Sequence, residues 1–209
     1  MTAILDPVSN GASLAIDLTA PYIARVTVQG TAPLLMHAWN CEAVEAKSRS
    51  AKNSAAKKLD NLESYVYRTD DGRLGIPGAN FHGALIEAGR YMQDPRSPRK
   101  SARDLIKAAL VPLDDIAPFL GERRDWDFID QRRVTVQRAG LTRQRPAMRT
   151  GWSIAFELLV NSPEYVDVVR LQELTANAGR LVGLCDFRPT YGRFTTIGFS
   201  VNSALEVPA

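Results

Sequence analysis

The chain has 209 residues, of which 45% are hydrophobic and 23% are charged, a composition typical of a globular protein that can bury a sizeable core. No apolar run reaches the roughly 18 residues that a membrane-spanning helix needs, and the N-terminal residues lack the basic start of a signal peptide. The two cysteines, Cys41 and Cys185, match no metal or disulfide framework, so we expect a reduced, cytoplasmic protein without a metal or a cofactor.

The first predicted element is a strand that begins near Tyr22. Apolar and polar side chains alternate from there to Gln29, which is the period of a half-buried strand. We expect residues 1–20 to form an N-terminal arm and residues 21–207 to form one domain. Within that domain, residues 40–70 are predicted to be an insertion, whose Ala-, Lys-, Ser- and Asn-rich part forms either a polar helix or a mobile loop.

A helix is predicted after the turn that the sequence DDG forms at residues 70–72. The sequence GIPG leads into this helix, Asn80 is its predicted N-cap, and an apolar stripe follows at helical spacing. The members of the stripe are Phe81, Leu85, Ala88 and Met92. A second insertion is predicted at residues 93–131, with a loop and then a short helix that Ser101 caps.

The C-terminal half of the chain predicts two strands, a helix and a last strand. The first two strands lie around Val134 and after Trp152, and a long basic connection joins them. The helix has Ser162 as its N-cap, then a proline at the first helical position, where a missing N–H costs nothing. Gly183 is expected in the left-handed conformation that often ends a helix, and the last strand follows it.

Without the two insertions, the order of elements is βαββαβ, the ferredoxin-like motif. The predicted fold class is therefore α+β, with an antiparallel sheet covered on one face by two helices and with two large insertions. RNA-binding domains of this topology use the other face of the sheet and its loops.

The basic residues are concentrated in three stretches that contain no acid, although the net charge is only +3. The stretches are residues 46–59, 95–103 and 131–156. Like charges at this density repel one another unless a polyanion is near, so the longest stretch predicts contact with nucleic-acid phosphates, against the alternative of a solvated basic face. Its arginines are Arg132, Arg133, Arg138, Arg143, Arg145 and Arg149.

The sequence GRLVGLCDFRPTYGRFTTIGF, residues 179–199, is a second candidate because it contains four glycines and two pairs of an aromatic residue and an arginine. Glycines allow a close approach of the backbone, and exposed N–H groups there can hold a phosphate. Arg188 and Arg193 add charge, and Tyr191 or Phe187 can stack on a base. The alternative is a helix end followed by an ordinary loop. The pattern of a nucleotide-binding P-loop is absent.

Two further groups of residues are weaker candidates. Lysines of the first insertion can form a flap over a strand of nucleic acid or belong to a soluble helix, and Trp39, which precedes them, can stack on a base or pack in the core. The lysines concerned are Lys52, Lys57 and Lys58. His37 and His82 have no motif around them, so we predict structural or surface histidines and no catalytic residue.

Two segments resemble the RAMP superfamily, which supplies backbone subunits of CRISPR effector complexes. The sequence LGIPGANFHGALIEAGRY is similar to the entry from a strand into the first helix of that fold, and GLCDFRPTYGRFTTIGF is similar to the glycine-rich loop before its last strand. Residues 20–200 also resemble uncharacterised proteins encoded by tailed phages and prophages. The resemblance implies binding to single-stranded nucleic acid by repeated protomers, and it leaves the choice between DNA and RNA open.

The sequence therefore predicts a non-enzymatic protein, encoded by a phage or prophage, that coats single-stranded DNA or RNA as repeated protomers and has no membrane partner. One alternative is a CRISPR effector subunit that binds guide RNA. Another is a structural or virion protein whose basic surface meets an acidic protein. The predicted binding residues are Trp39, Lys52, Lys57, Lys58, Arg132, Arg133, Arg138, Arg143, Arg145, Arg149, Arg188, Tyr191 and Arg193.

Overall fold

The computed structural model of the protein describes residues 20–39, 61–136 and 139–203. Within these ranges the chain has the predicted α+β class, with antiparallel strands and three α-helices. The strands are β1 (Tyr22–Gly30), β2 (Leu34–Leu35), β3 (Tyr67–Arg68), β4 (Leu74–Pro77), β5 (Gln93–Asp94), β6 (Ser97–Ser101), β7 (Leu110–Pro112), β8 (Ile116–Pro118), β9 (Phe128–Val136), β10 (Ala139–Met148), β11 (Ser153–Val160) and β12 (Phe194–Ser203). The helices are α1 (Gly78–Ala88), α2 (Arg103–Ala109) and α3 (Val168–Asn177), with 3₁₀ turns at Leu62–Tyr65 and Gly89–Tyr91 and a π-helical turn at Ala178–Val182. No helix in these ranges has both the length and the apolar character that a membrane crossing needs.

A four-stranded antiparallel sheet in the order β12-β1-β11-β7 supports the core. The alternation predicted for the first strand is confirmed, since every second residue of β1 from Tyr22 to Val28 is fully buried. Helix α1 covers this buried face, where the ring of Phe81 stacks on that of Phe156 in β11 with centroids 4.4 Å apart. Burial of each such ring contributes about 1.5–3 kcal/mol to folding.

Helix α1 begins at Gly78, directly after Pro77, and not at the predicted cap Asn80. A proline at this point has the backbone angle φ of −56° and does not require a side-chain cap. Asn80 instead lies inside the helix, and its side-chain oxygen accepts a hydrogen bond from the N–H of Cys185 (3.1 Å). A residue expected to cap a helix therefore attaches the helix to a distant loop.

The other two predicted caps are also wrong. Ser101 belongs to β6, and helix α2 starts two residues later without a side-chain cap. Ser162 starts a separate turn, in which its carbonyl oxygen accepts from the N–H of Val166 (2.9 Å). Helix α3 is capped by Asp167, whose carboxylate accepts from the N–H of Arg170 (2.7 Å) and also suits the positive end of the helix dipole.

The basic connection predicted between two strands is itself a strand, β10. It pairs with β9 and β2 in a separate three-stranded sheet, so β9 is not the second strand of the central sheet as the sequence predicted. That position is taken by β7, which lies inside the predicted second insertion and whose Leu110 is buried against the core. A short apolar strand fits this edge, whereas a strand rich in arginine cannot cover a core.

Candidate nucleic-acid interface

The hairpin of β9 and β10 packs against the glycine-rich loop, which we define as residues 183–193. In the hairpin, Arg143 lies directly opposite Arg132, and Arg145 lies directly opposite Asp130. Residues that face each other across an antiparallel pair point to the same side, so these four side chains share one face. The hairpin thus presents three arginines and one carboxylate on the face that meets the loop.

Arg132 connects the hairpin to the aromatic rings of the loop. Its Nη2 donates to the hydroxyl of Tyr191 (2.8 Å), and its guanidinium carbon lies 4.7 Å from the centre of that ring and 4.8 Å from the centre of the Phe187 ring. The guanidinium also forms an ion pair with Asp130. The hydrogen bonds to Asp130 are the largest cause of a raised pKa of Arg132, and the hydrogen bond to Tyr191 is the next largest. Cation–π contacts of this kind orient an aromatic ring as well as the cation.

Arg145 is buried beneath the same loop, with 7% of its surface exposed. Its Nε donates to Asp186 (2.5 Å), and its guanidinium carbon lies 4.5 Å from the centre of the Phe187 ring. Its Nη1 is buried without a hydrogen-bond partner among the described residues. A guanidinium in this position cannot reach a strand at the surface, so we assign Arg145 to the support of the loop and not to the phosphate contact predicted for it.

The glycines of the loop serve its internal packing. Gly183 and Gly192 have φ of +80° and +71°, and a Cβ on Gly192 would overlap the carbonyl oxygen of Leu184. The N–H of Gly183 donates to Ala178 (2.8 Å) and the N–H of Gly192 donates to Pro33 (2.8 Å). These two amides are therefore not available for the phosphate contact predicted for the loop. Gly183 has the positive φ predicted for it, but its ψ of 177° lies outside the left-handed helical region, so the predicted end of the helix is confirmed only in part.

Three other predicted arginines of the basic stretch lie on or beside the hairpin. Arg133 is exposed, Arg143 is half-buried, and Arg149 is exposed just after the end of β10. The guanidinium of Arg149 lies 5.5 Å from the centre of the Phe128 ring, and its backbone N–H donates to Asp127 (2.7 Å). All three can reach a ligand on the surface.

The tip of the glycine-rich loop lines a groove of about 340 Å³. Arg188 is exposed and lines this groove together with Arg90 and Tyr91 from the 3₁₀ turn that follows α1. Tyr91 is 63% exposed, and Arg90 forms an ion pair with Glu87, which also lines the groove (2.9 Å). Arg193 is exposed at the other end of the loop, where its Nε donates to the carbonyl oxygen of Pro189 (2.7 Å).

The sequence did not identify several residues that build this surface. Asp130 and Asp186 were missed because they lie outside the acid-free stretches, and Asn80 was assigned to a cap. Arg90 and Tyr91 had a signal, since they repeat the pairing of arginine with an aromatic residue that drew attention to residues 179–199.

Trp39 is 74% exposed, which agrees with a stacking role better than with core packing. The ring of His37 stacks on Tyr65 with centroids 4.4 Å apart. Burial lowers the pKa of His82, and its Nε2 has no partner among the described residues. Lys52, Lys57, Lys58 and Arg138 lie outside the described residues. No group of three potential metal ligands occurs in the described ranges.

The open face of the central sheet, which many RNA-binding domains use, has a different character here. Its arginine in β1, Arg25, forms an ion pair with Glu157 of β11 (2.9 Å). The residue directly opposite Arg25 on the other side is Ser200 in β12. The hairpin and the glycine-rich loop therefore have the greater concentration of arginines and aromatic rings.

A scan of protein-family models finds no match to this chain, and a search of curated proteins finds none. Among solved structures, the chain is similar to one in the cryo-EM structure of the Type III-B Cmr-beta bound to cognate target RNA, with a TM-score of 0.52. The identity is 9%, and the match covers 88% of this chain and 61% of that chain. This chain therefore spans about three fifths of the length of the solved one. At this identity the likeness is one of fold alone.

Proposed function

We propose that the protein binds single-stranded nucleic acid along the surface formed by the hairpin and the glycine-rich loop. One observation carries the proposal: Arg132 and Tyr191, 59 residues apart, are joined by a hydrogen bond of 2.8 Å, so two segments predicted separately to bind nucleic acid form one surface. Arginines beside stacked aromatic rings are the combination that binds unpaired strands without strong sequence choice.

Each group on this surface has a distinct role in the proposal. The exposed or half-buried arginines neutralise phosphates, and Phe187, Tyr191 and Trp39 stack on bases. These arginines are Arg143, Arg149, Arg188 and Arg193, whereas Arg133 lies on the opposite face of the hairpin from Arg132. Arg132 and Arg145, each bound to a carboxylate, fix the two loop rings in place. The groove lined by Arg90 and Tyr91 offers room for the next nucleotide beyond the loop tip.

The finer assignment of the fold is part of the same proposal. The order β12-β1-β11-β7, with helices α1 and α2 between β1 and β7 and helix α3 between β11 and β12, supports a ferredoxin-like βαββαβ core of the RAMP type. In this assignment the hairpin of β9 and β10 is an excursion between the second and third core strands. We retain a non-enzymatic role, coating of the strand by repeated protomers and a phage or prophage source within the proposal.

The direct test is fluorescence anisotropy with labelled single-stranded DNA, RNA and duplex DNA at two salt concentrations. We expect the single strands to bind more tightly than the duplex and to lose affinity as salt rises. Each lost phosphate contact lowers the salt slope by about 0.7 for a single strand, so R149Q/R188Q should lower it by about 1.4. The matched control R25Q/R99Q removes the same charge from the open sheet face and from β6, and it should keep the slope. Absence of binding at low salt contradicts the proposal and favours a basic surface for an acidic protein.

A second candidate is a subunit of a CRISPR effector complex, which the fold shared with a chain of the Type III-B Cmr-beta structure favours. That role requires a guide RNA and partner subunits. Purification from the native cell followed by sequencing of any bound RNA separates the two roles. RNA of one discrete length with a common sequence at one end indicates a guide, whereas heterogeneous strands indicate general coating.

A further inference from the structure

A small cavity of about 130 Å³ lies beside the first residues of the glycine-rich loop. It is lined by His37, Tyr67, Asn80, Cys185 and Asp186, which come from the segment after β2, from β3, from α1 and from the loop. Its walls thus carry an imidazole, a phenol, an amide and a carboxylate. In ligand sites, a few convergent polar groups fix the orientation of the ligand.

The carboxylate of this cavity is held rigidly. The N–H of Asp186 donates to Leu35 (3.0 Å), and its carboxylate accepts from Nε of Arg145 (2.5 Å) and from the N–H of Phe187 (3.0 Å). Both neighbours in sequence, Cys185 and Phe187, have left-handed φ of 60° and 56°, which residues other than glycine rarely adopt. Backbone strain of this kind is concentrated at functional sites, where the surrounding structure maintains it.

The remaining hydrogen-bonding capacity of the cavity has a definite pattern. A carboxylate offers about four acceptor positions, and Asp186 uses at least two of them, for Arg145 and for the N–H of Phe187, so we assign it a further donor within the cavity. Asn80 accepts through Oδ1 from Cys185, which leaves its amide N–H groups to donate. The hydroxyl of Tyr67 can also donate. Burial raises the pKa of the Cys185 thiol to about 12, so that wall of the cavity is neutral.

The aromatic side chains around the cavity can stack on the flat ring of a ligand. The ring of His37 is nearly parallel to that of Tyr65, at 21° and 4.4 Å, so its plane is fixed. Trp39, two residues further along the chain, is exposed and can stack on the base that neighbours an inserted one. The volume suits a single ring and not the fused rings of a purine.

We propose that this cavity takes one unstacked cytosine from the bound strand, an inference that rests on the proposed binding of single strands. The exocyclic amino group of cytosine donates to Asp186, and its carbonyl oxygen accepts from Asn80 or Tyr67. Uracil and thymine place a carbonyl oxygen against the Asp186 carboxylate in the same pose, which is repulsive. The protein therefore adds a preference for cytosine to binding that is otherwise indifferent to sequence.

The test compares labelled oligo(dC) and oligo(dT), and oligo(rC) and oligo(rU), in equilibrium binding to the full chain. We expect the cytosine strands to bind at least about tenfold more tightly, as one good base contact allows. Y67F should reduce that ratio while leaving the ion pair of Asp186 with Arg145 intact. Y165F, which removes a hydroxyl from another part of the surface, is the matched control and should keep the ratio.

A second variant keeps the cytosine site testable if Y67F does not fold. H37A removes a ring that lines the cavity, and it should also reduce the ratio, with circular dichroism confirming the fold. Equal affinities for cytosine and for uracil or thymine, with both bound, overturn the cytosine site and leave the proposed function intact. Absence of binding to every strand overturns both proposals together.

Discussion

Gly192 shows how the structure of the glycine-rich loop depends on one missing side chain. Its φ of +71° lies in the left-handed region, and its backbone passes so close to Leu184 that a Cβ would overlap the carbonyl oxygen there. The N–H of Leu184 also donates to Gly192 (2.9 Å). We expect G192A to lower the free energy of unfolding by about 3 kcal/mol or more, because the loop must move as well as adopt a strained conformation.

Gly121 is the matched control for this prediction. It has a similar φ of +81°, but no atom lies within 4 Å of the position that its Cβ would occupy. G121A should therefore cost only the conformational term, about 1 kcal/mol. Urea denaturation of both variants, followed by circular dichroism, measures the difference. Equal losses of stability would mean that the loop shifts without a cost in free energy, and that its conformation does not depend on Gly192.

At the level of the element, β10 carries two arginines with different surroundings on the same face. Arg145 is buried against Asp186, whose side chain is 36% exposed, whereas Arg143 is half-buried two residues earlier. R145M keeps the volume but leaves a partly buried carboxylate without its cation, so we expect a loss of about 2 kcal/mol in the free energy of unfolding. R143M should change that free energy by about 0.5 kcal/mol or less and instead weaken binding to single strands.

Parallel denaturation and anisotropy measurements separate the two roles. Each variant removes one positive charge from the same strand, so each is the control for the other. If R143M destabilises the fold as much as R145M, the two arginines have the same structural role and the phosphate contact assigned to Arg143 is wrong.

The same elements show how far the sequence determines the fold. The alternation in β1 could be predicted because the buried positions from Tyr22 to Val28 are hydrophobic, and three of the four outward positions from Ile23 to Gln29 are polar. Strand β7 could not be predicted from the sequence, because three residues do not establish a period of alternation. Its pairing with β11 depends on the tertiary structure. The strand β10 was taken for a connection because its arginines, which contact the loop and not the core, hide the pattern of burial.

The candidate site was predictable in its residue types but not in its arrangement. Runs without acids pointed to the arginines of the hairpin, and the glycines pointed to the loop. The charges that neutralise Arg132 and Arg145 were not foreseeable, because Asp130 precedes the basic stretch and Asp186 lies 41 residues beyond Arg145. Only the structure distinguishes an arginine that packs against an aromatic ring of the loop from one that faces solvent.

For the whole molecule, coating by repeated protomers predicts how binding changes with strand length. A single module of this size covers about 4–16 nucleotides, so an oligonucleotide of about 12 should hold one protomer and one of about 40 should hold two or more. We expect tighter binding per protomer on the longer strand if neighbours contact each other. Native mass spectrometry of complexes with both lengths counts the protomers directly. R149Q/R188Q should lose occupancy on both lengths, whereas R25Q/R99Q should retain it. One protomer on every length, at saturating protein, would rule out coating and leave the protein as an isolated single-strand binder or as one subunit of a larger complex.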